Sequence, residues 1–132
     1  MPSIYGLTEI ETELMELFWS RDTSFTFSEI LHYCNEVKGH GWAQTTVHTF
    51  LTRLIQKGVL ESGRKGYKRF YYAAVSREEL AHQYASRFVE ESYGGSVKNL
   101  LVSLNYHSGL SKDELLELRR LLDQELDKPE SR

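Results

Sequence analysis

The chain has 132 residues, 40% of them hydrophobic, which leaves room for one small domain with an appendage or for two small domains. Its formal net charge of −3 at pH 7 excludes a general polycation, so any affinity for nucleic acid has to be local. It carries neither a membrane span of roughly 18 apolar residues nor a basic-then-apolar secretory leader, and its single cysteine, Cys34, excludes an internal disulfide framework and fits a reducing cytoplasm.

Thr8-Glu-Ile-Glu11 reads as a capping box opening a first helix, with Ile10, Leu14, Leu17 and Phe18 on its apolar face as far as about Trp19. The same helix carries Glu9, Glu11, Glu13 and Glu16, which read as a solvated face. Ser20 to Ser24 is a short polar loop. Thr26-Phe-Ser-Glu29 is a second capping box, and Ile30, Leu31, Tyr33, Cys34 and Val37 continue a second helix that ends in the turn Lys38-Gly-His-Gly41.

From Trp42 to Gly58 the spacing predicts a third helix. Val47, Phe50, Leu51, Leu54 and Ile55 fall on one face. The opposite face holds Thr45, Thr46, His48, Thr49, Thr52, Arg53 and Lys57, without an acid and with four threonines, a mediocre helix former. Short hydroxyl side chains with a few cations suit a helix pressed against phosphates and base edges. Gly58 supplies a left-handed C-terminus. Val59 to Ser62 then reads as a strand, Gly63-Arg-Lys-Gly66 as a basic turn, and Tyr67 to Ala74 as an aromatic returning strand, with Tyr71 and Tyr72 packing the hairpin. Between Trp42 and Tyr72 stand six basic residues, Arg53, Lys57, Arg64, Lys65, Lys68 and Arg69, against Glu61 alone. Helix, helix, glycine turn, polar-faced helix and basic hairpin is the order of a winged helix-turn-helix.

Ser76-Arg-Glu-Glu79 is a third capping box, beginning a helix with apolar positions at Leu80, Tyr84, Phe88 and Val89. Gly94-Gly95 interrupts the chain. Val97, Leu100, Leu101 and Leu104 form a short helix ending near His107-Ser-Gly109, and Ser111-Lys-Asp-Glu114 caps a last helix with Leu115, Leu116, Leu118, Leu121, Leu122 and Leu126. Three short helices bury so many leucines poorly by themselves, and a second copy of the chain is the natural cover. The expected organisation is therefore mainly α with a small β-hairpin: a winged helix-turn-helix domain over residues 1–75 and a three-helix dimerisation domain over 76–132.

His32, Cys34 and His40 invite a metal reading, but the i, i+2 spacing of His32 and Cys34 splits them between two sides of a helix, so neither a metal nor a cofactor is expected. Cys34 reads as a small core residue. Trp19 and Trp42 read as core anchors. No nucleophile, phosphate loop or metal motif accompanies the glutamates, so the chain does not read as an enzyme.

Three stretches carry a resemblance: Leu7-Thr-Glu-Ile-Glu-Thr-Glu-Leu-Met-Glu-Leu-Phe-Trp19, Trp42-Ala-Gln-Thr-Thr-Val-His-Thr-Phe-Leu-Thr-Arg-Leu-Ile-Gln-Lys-Gly58 and the hairpin Phe70-Tyr-Tyr72. With the Gly-Gly break and the Leu-Ser-x-x-Glu-Leu start at Leu110, the chain resembles the penicillinase-repressor (BlaI/MecI/CopY) family over roughly residues 5–126. The resemblance implies a homodimeric repressor on a palindromic operator in double-stranded DNA, with a C-terminal dimerisation domain. In the β-lactam-responsive branch it also implies a membrane sensor-protease pathway that cleaves within the second C-terminal helix. The matching bond here is Ser103–Leu104, where that branch usually has Asn-Phe. The cysteine cluster of the copper-responsive branch is missing from the C-terminal region. Ala43 and Gln44 replace the usual Ser-Pro entry to the third helix.

On this reading Gln44, Thr45, Thr46, His48, Thr49 and Thr52 face a major groove, Arg53 meets a phosphate, and Arg64, Lys65 and Lys68 of the wing reach phosphates or the minor groove. Phe88, Leu100, Leu101, Leu104, Leu115, Leu118 and Leu122 form the dimer face. A second reading, a winged-helix protein–protein module without specific DNA binding, stays open from the sequence.

Overall fold

In a computed structural model of the chain, which describes residues 4–107 and 109–130, the capping boxes read from the sequence do open helices. Thr8 accepts from the Glu11 amide while the Glu11 carboxylate accepts from the Thr8 amide, starting α1 (Glu9–Arg21). Thr26 and Glu29 do the same for α2 (Phe27–His32), and Ser111 and Glu114 for α6 (Lys112–Asp127). Such a cap satisfies amides that the first helical turn leaves without partners. The remaining helices are α3 (Gln44–Gln56), α4 (Arg77–Tyr93) and α5 (Val97–His107). A two-residue strand β1 (Phe25–Thr26), between the polar loop and the second capping box and not expected from the sequence, pairs with β3 (Lys68–Ala73), and β3 pairs with β2 (Leu60–Lys65). All three strands are antiparallel, in the order β1-β3-β2.

The hairpin turn lies later than the glycines suggested. Gly63, Arg64 and Lys65 belong to β2, and Lys65 pairs with Lys68 across a two-residue loop, Gly66-Tyr67. Gly66 is at φ +67, the left-handed region that glycine enters freely, and a glycine in the first position suits a tight hairpin. Gly63 instead sits opposite Phe70 within the ladder.

α2 continues as a π-helical turn, Tyr33–Val37, before the chain enters α3. Asn35 locks that passage: its amide donates to the Trp42 carbonyl at 2.9 Å and its carbonyl accepts from the Trp42 amide at 2.7 Å. The helix-turn-helix angle is thus held by one side chain bonded twice to the backbone seven residues on. Val37, expected on the apolar face, is exposed, because the wider turn carries it off that face.

The chain divides into two compact units between Ser86 and Arg87. In the first, Leu14, Met15, Phe18, Ile30, Val47, Leu51 and Leu54 close a core with Val59, Leu60 and Tyr71 of the hairpin. Leu80, in the first turn of α4, joins that core. Trp19 and Trp42 are partly buried against it, and Trp19 donates its indole N–H to the Val75 carbonyl at 3.0 Å. Ile55, at the margin of the apolar face of α3, is exposed. In the second unit α5 and α6 have no buried residue.

Of the α1 glutamates expected on a solvated face, Glu9 is exposed, but Glu11, Glu13 and Glu16 are not. Glu11 is buried and bonds the Lys57 ammonium of α3 at 2.6 Å. Glu13 meets His40 of the inter-helix turn at 2.5 Å, and Glu16 binds Arg77 of α4. Burial alone would raise the Glu11 carboxyl, but the Lys57 ammonium, with the Thr8 amide and hydroxyl, outweighs it and holds the carboxyl below its ordinary value. One helix therefore fastens three later parts of the chain.

Candidate nucleic-acid interface

The polar face of α3 is where the sequence placed it. Gln44, Thr45, His48, Thr49, Thr52 and Arg53 are exposed and Thr46 is half-buried. Thr49 bonds its hydroxyl back to the Thr45 carbonyl at 2.9 Å, which leaves its oxygen free to accept. The Arg53 guanidinium lies 5.9 Å from the Phe50 ring centroid. His48 stacks on Phe27, with ring centroids 4.0 Å apart and planes 12° from parallel. Lys57 does not belong with these groups, since Glu11 and the Gly6 carbonyl take its ammonium.

α3 differs from the other helices at its start. Hydroxyls of Thr8, Thr26, Ser76, Ser96 and Ser111 accept from first-turn amides elsewhere, but Ala43 has no side chain to do so. The Thr46 amide turns back to the Ala43 carbonyl at 3.1 Å, which leaves the amides of Gln44 and Thr45 for another acceptor, and a helix N-terminus favours an anionic one.

The hairpin register sets the wing. Arg64 faces Arg69 and Lys65 faces Lys68. Like charges directly opposite destabilise a ladder, and successive residues point to opposite faces, so the tip is cationic on both sides. Among the described residues no ion pair holds Arg53, Arg64, Lys65, Lys68 or Arg69. Arg69, one of the six basic residues between Trp42 and Tyr72 but not among those expected to face DNA, is brought opposite Arg64 by this register. Tyr67, at the apex, is 92% exposed.

The second unit holds the residues assigned to a dimer face. Leu100, Leu101 and Leu118 are half-buried, while Phe88, Leu104, Leu115 and Leu122 are exposed. Leu101, Val102, Leu110, Leu115, Leu118 and Leu122 line an open, mainly apolar groove. Ser103 and Leu104 lie inside α5.

Cys34 is fully buried, and burial, with Glu13 nearby, pushes its thiol up to about 11. A thiol so disposed is a core residue with little thiolate at neutral pH. Among the described residues no cluster of three or more His, Cys, Asp or Glu is placed to hold a metal ion, and no helix is long and apolar enough to cross a membrane.

Three helices, a short β1 and a basic hairpin define a winged helix-turn-helix protein of the DNA-binding class. The sequence profile of the penicillinase repressor family matches residues 7–124, and the chain belongs to that family of transcriptional repressors. It is 27% identical over 121 residues to the methicillin resistance regulatory protein MecI of Staphylococcus aureus (strain N315), covering 91% of this chain and 95% of that one. It is 24% identical over 124 residues to the penicillinase repressor of Bacillus licheniformis, covering 94% of each. The solution structure of the DNA-binding domain of the repressor BlaI superposes with a TM-score of 0.49 and 25% identity, over 60% of this chain and 93% of that one.

Proposed function

We propose that two copies of the chain join through α5 and α6 and bind a palindromic operator, each inserting α3 into a major groove and laying its hairpin along the flanking backbone. The observation that carries this reading is the unpaired cationic tip, Arg64 against Arg69 and Lys65 against Lys68, beside the acid-free face of α3. An acceptor of high negative charge density relieves the repulsion within the tip, and duplex phosphates are such an acceptor. Arg53 on a phosphate, with Gln44, Thr45, His48, Thr49 and Thr52 toward base edges, completes the contact. Repression is steric: a dimer on half-sites about 34 Å apart, or a multiple of that, occludes a promoter. Linking two weak readers raises the apparent affinity through effective concentration, so loss of the dimer releases the operator. Release in the manner of the β-lactam-responsive branch would cut Ser103–Leu104. That bond is inside a helix, so α5 has to open locally before a protease can take it.

Fluorescence anisotropy on duplexes selected from a random pool, followed across a salt series, tests the reading. If Arg53, Arg64, Lys65, Lys68 and Arg69 of both copies meet phosphates, log K falls against log salt with a slope of about −9. A slope near zero, or no enrichment of any sequence, would refute it and favour the protein-binding module instead.

A further inference from the structure

We propose that Phe27 is a positioning residue for base reading by His48. The inference rests on the DNA-reading role proposed above and names a device within it. His48 stands on the second turn of α3 and shares a face with Gln44, Thr45 and Thr52 at helical spacings of three and four. Its side chain is exposed, and an exposed imidazole on a helix samples several rotamers. Here one face of the ring is covered by Phe27, at a centroid separation of 4.0 Å and nearly parallel. Phe27 is itself held. It is the first residue of α2, directly after the cap residue Thr26 and inside the Thr26–Glu29 capping box, and it is partly buried against the core. The stack therefore ties an exposed side chain of the recognition helix to a rigid point on the preceding helix. It leaves the ring nitrogens on the uncovered rim, where one donates to guanine O6 or N7 and the other accepts from a base amino group. The rotamer freedom that binding would otherwise remove is already removed in the free protein.

The test uses the full-length chain and a duplex that the wild type selects from a random pool, with a scrambled duplex beside it. Wild type and Phe27→Tyr bind the selected duplex alike, since the flat ring is kept. Phe27→Leu and His48→Ala each lose roughly three- to tenfold on it, the loss expected when one ordered side chain is freed. Affinity for the scrambled duplex and the salt slope stay at wild-type values. Phe27→Leu adds nothing in a His48→Ala background. In the free protein the ring-proton resonances of His48 move downfield in Phe27→Leu, as the ring current of the phenyl is removed. Wild-type affinity in His48→Ala, additive losses in the double variant, or an equal loss on both duplexes overturns the inference and leaves the DNA reading intact. A wild type that enriches no sequence overturns the DNA reading and the inference with it.

Discussion

Both units carry helices with apolar faces, and they end differently. Up to Ser86, α1, α2, α3 and the hairpin close around Leu14, Phe18, Ile30, Val47, Leu51 and Leu54, all of them 0% or 1% exposed. Beyond it, Leu104 and Leu115 to Leu126 keep between 45% and 80% of their surface, apart from the half-buried Leu118. On the proposed dimer the leucine-lined helix pair is half of a core, whereas the first unit closes its own.

The largest expected effect comes from charging the half-core. Leu115→Asp with Leu122→Asp makes the chain monomeric in sedimentation velocity and lowers operator affinity by about 10²- to 10⁴-fold, while the first unit stays folded. An unchanged sedimentation coefficient would mean that α6 is covered by something other than a second copy. Next, Leu14→Ala costs about 2–5 kcal/mol in urea unfolding, against well under 1 kcal/mol for Leu126→Ala, because only the first leaves a cavity. Equal losses would erase the contrast between the units.

Glu11→Gln tests the fastening of the first unit and costs about 1–3 kcal/mol at pH 7. That is less than a fully buried pair, because the Lys57 side chain is 40% exposed and turns to water. The Glu11 carboxyl is held below its ordinary value of 4.5 when folded, so its contribution is complete above that pH and fades as pH falls through the folded value. The gap between wild type and Glu11→Gln therefore closes on acidification; a gap that widens would contradict the assignment. The smallest effect is Ala43→Ser. It stabilises the first unit by about 1 kcal/mol through the missing cap, and it weakens duplex binding if the first α3 amides hold a phosphate.

What was legible in the sequence was local. The capping boxes at Thr8, Thr26 and Ser111 and the acid-free face of α3 each depend on residues within a turn or two, and they are read from spacing alone. What was missed depends on distant partners. Glu11, Glu13 and Glu16 look like surface residues until Lys57, His40 and Arg77 arrive from 46, 27 and 61 residues away. Two glycines bracket Arg64-Lys65 and suggest an earlier hairpin turn, and only the ladder with β3 decides which of them bends. The same register brings Arg69 to the tip. Phe27 under His48 had no signal, since the stack joins two helices through one ring on each.

The hairpin tip also bears on how the protein keeps when nothing is bound. Arg64 against Arg69 and Lys65 against Lys68 are repulsions that the ladder carries unrelieved. Sulfate, polyphosphate or heparin should therefore raise its melting temperature more than chloride at the same ionic strength, and should slow amide exchange at the end of the ribbon. The wing would then act as a general sink for polyanions, and a storage buffer chosen for inertness would leave this protein at its least stable.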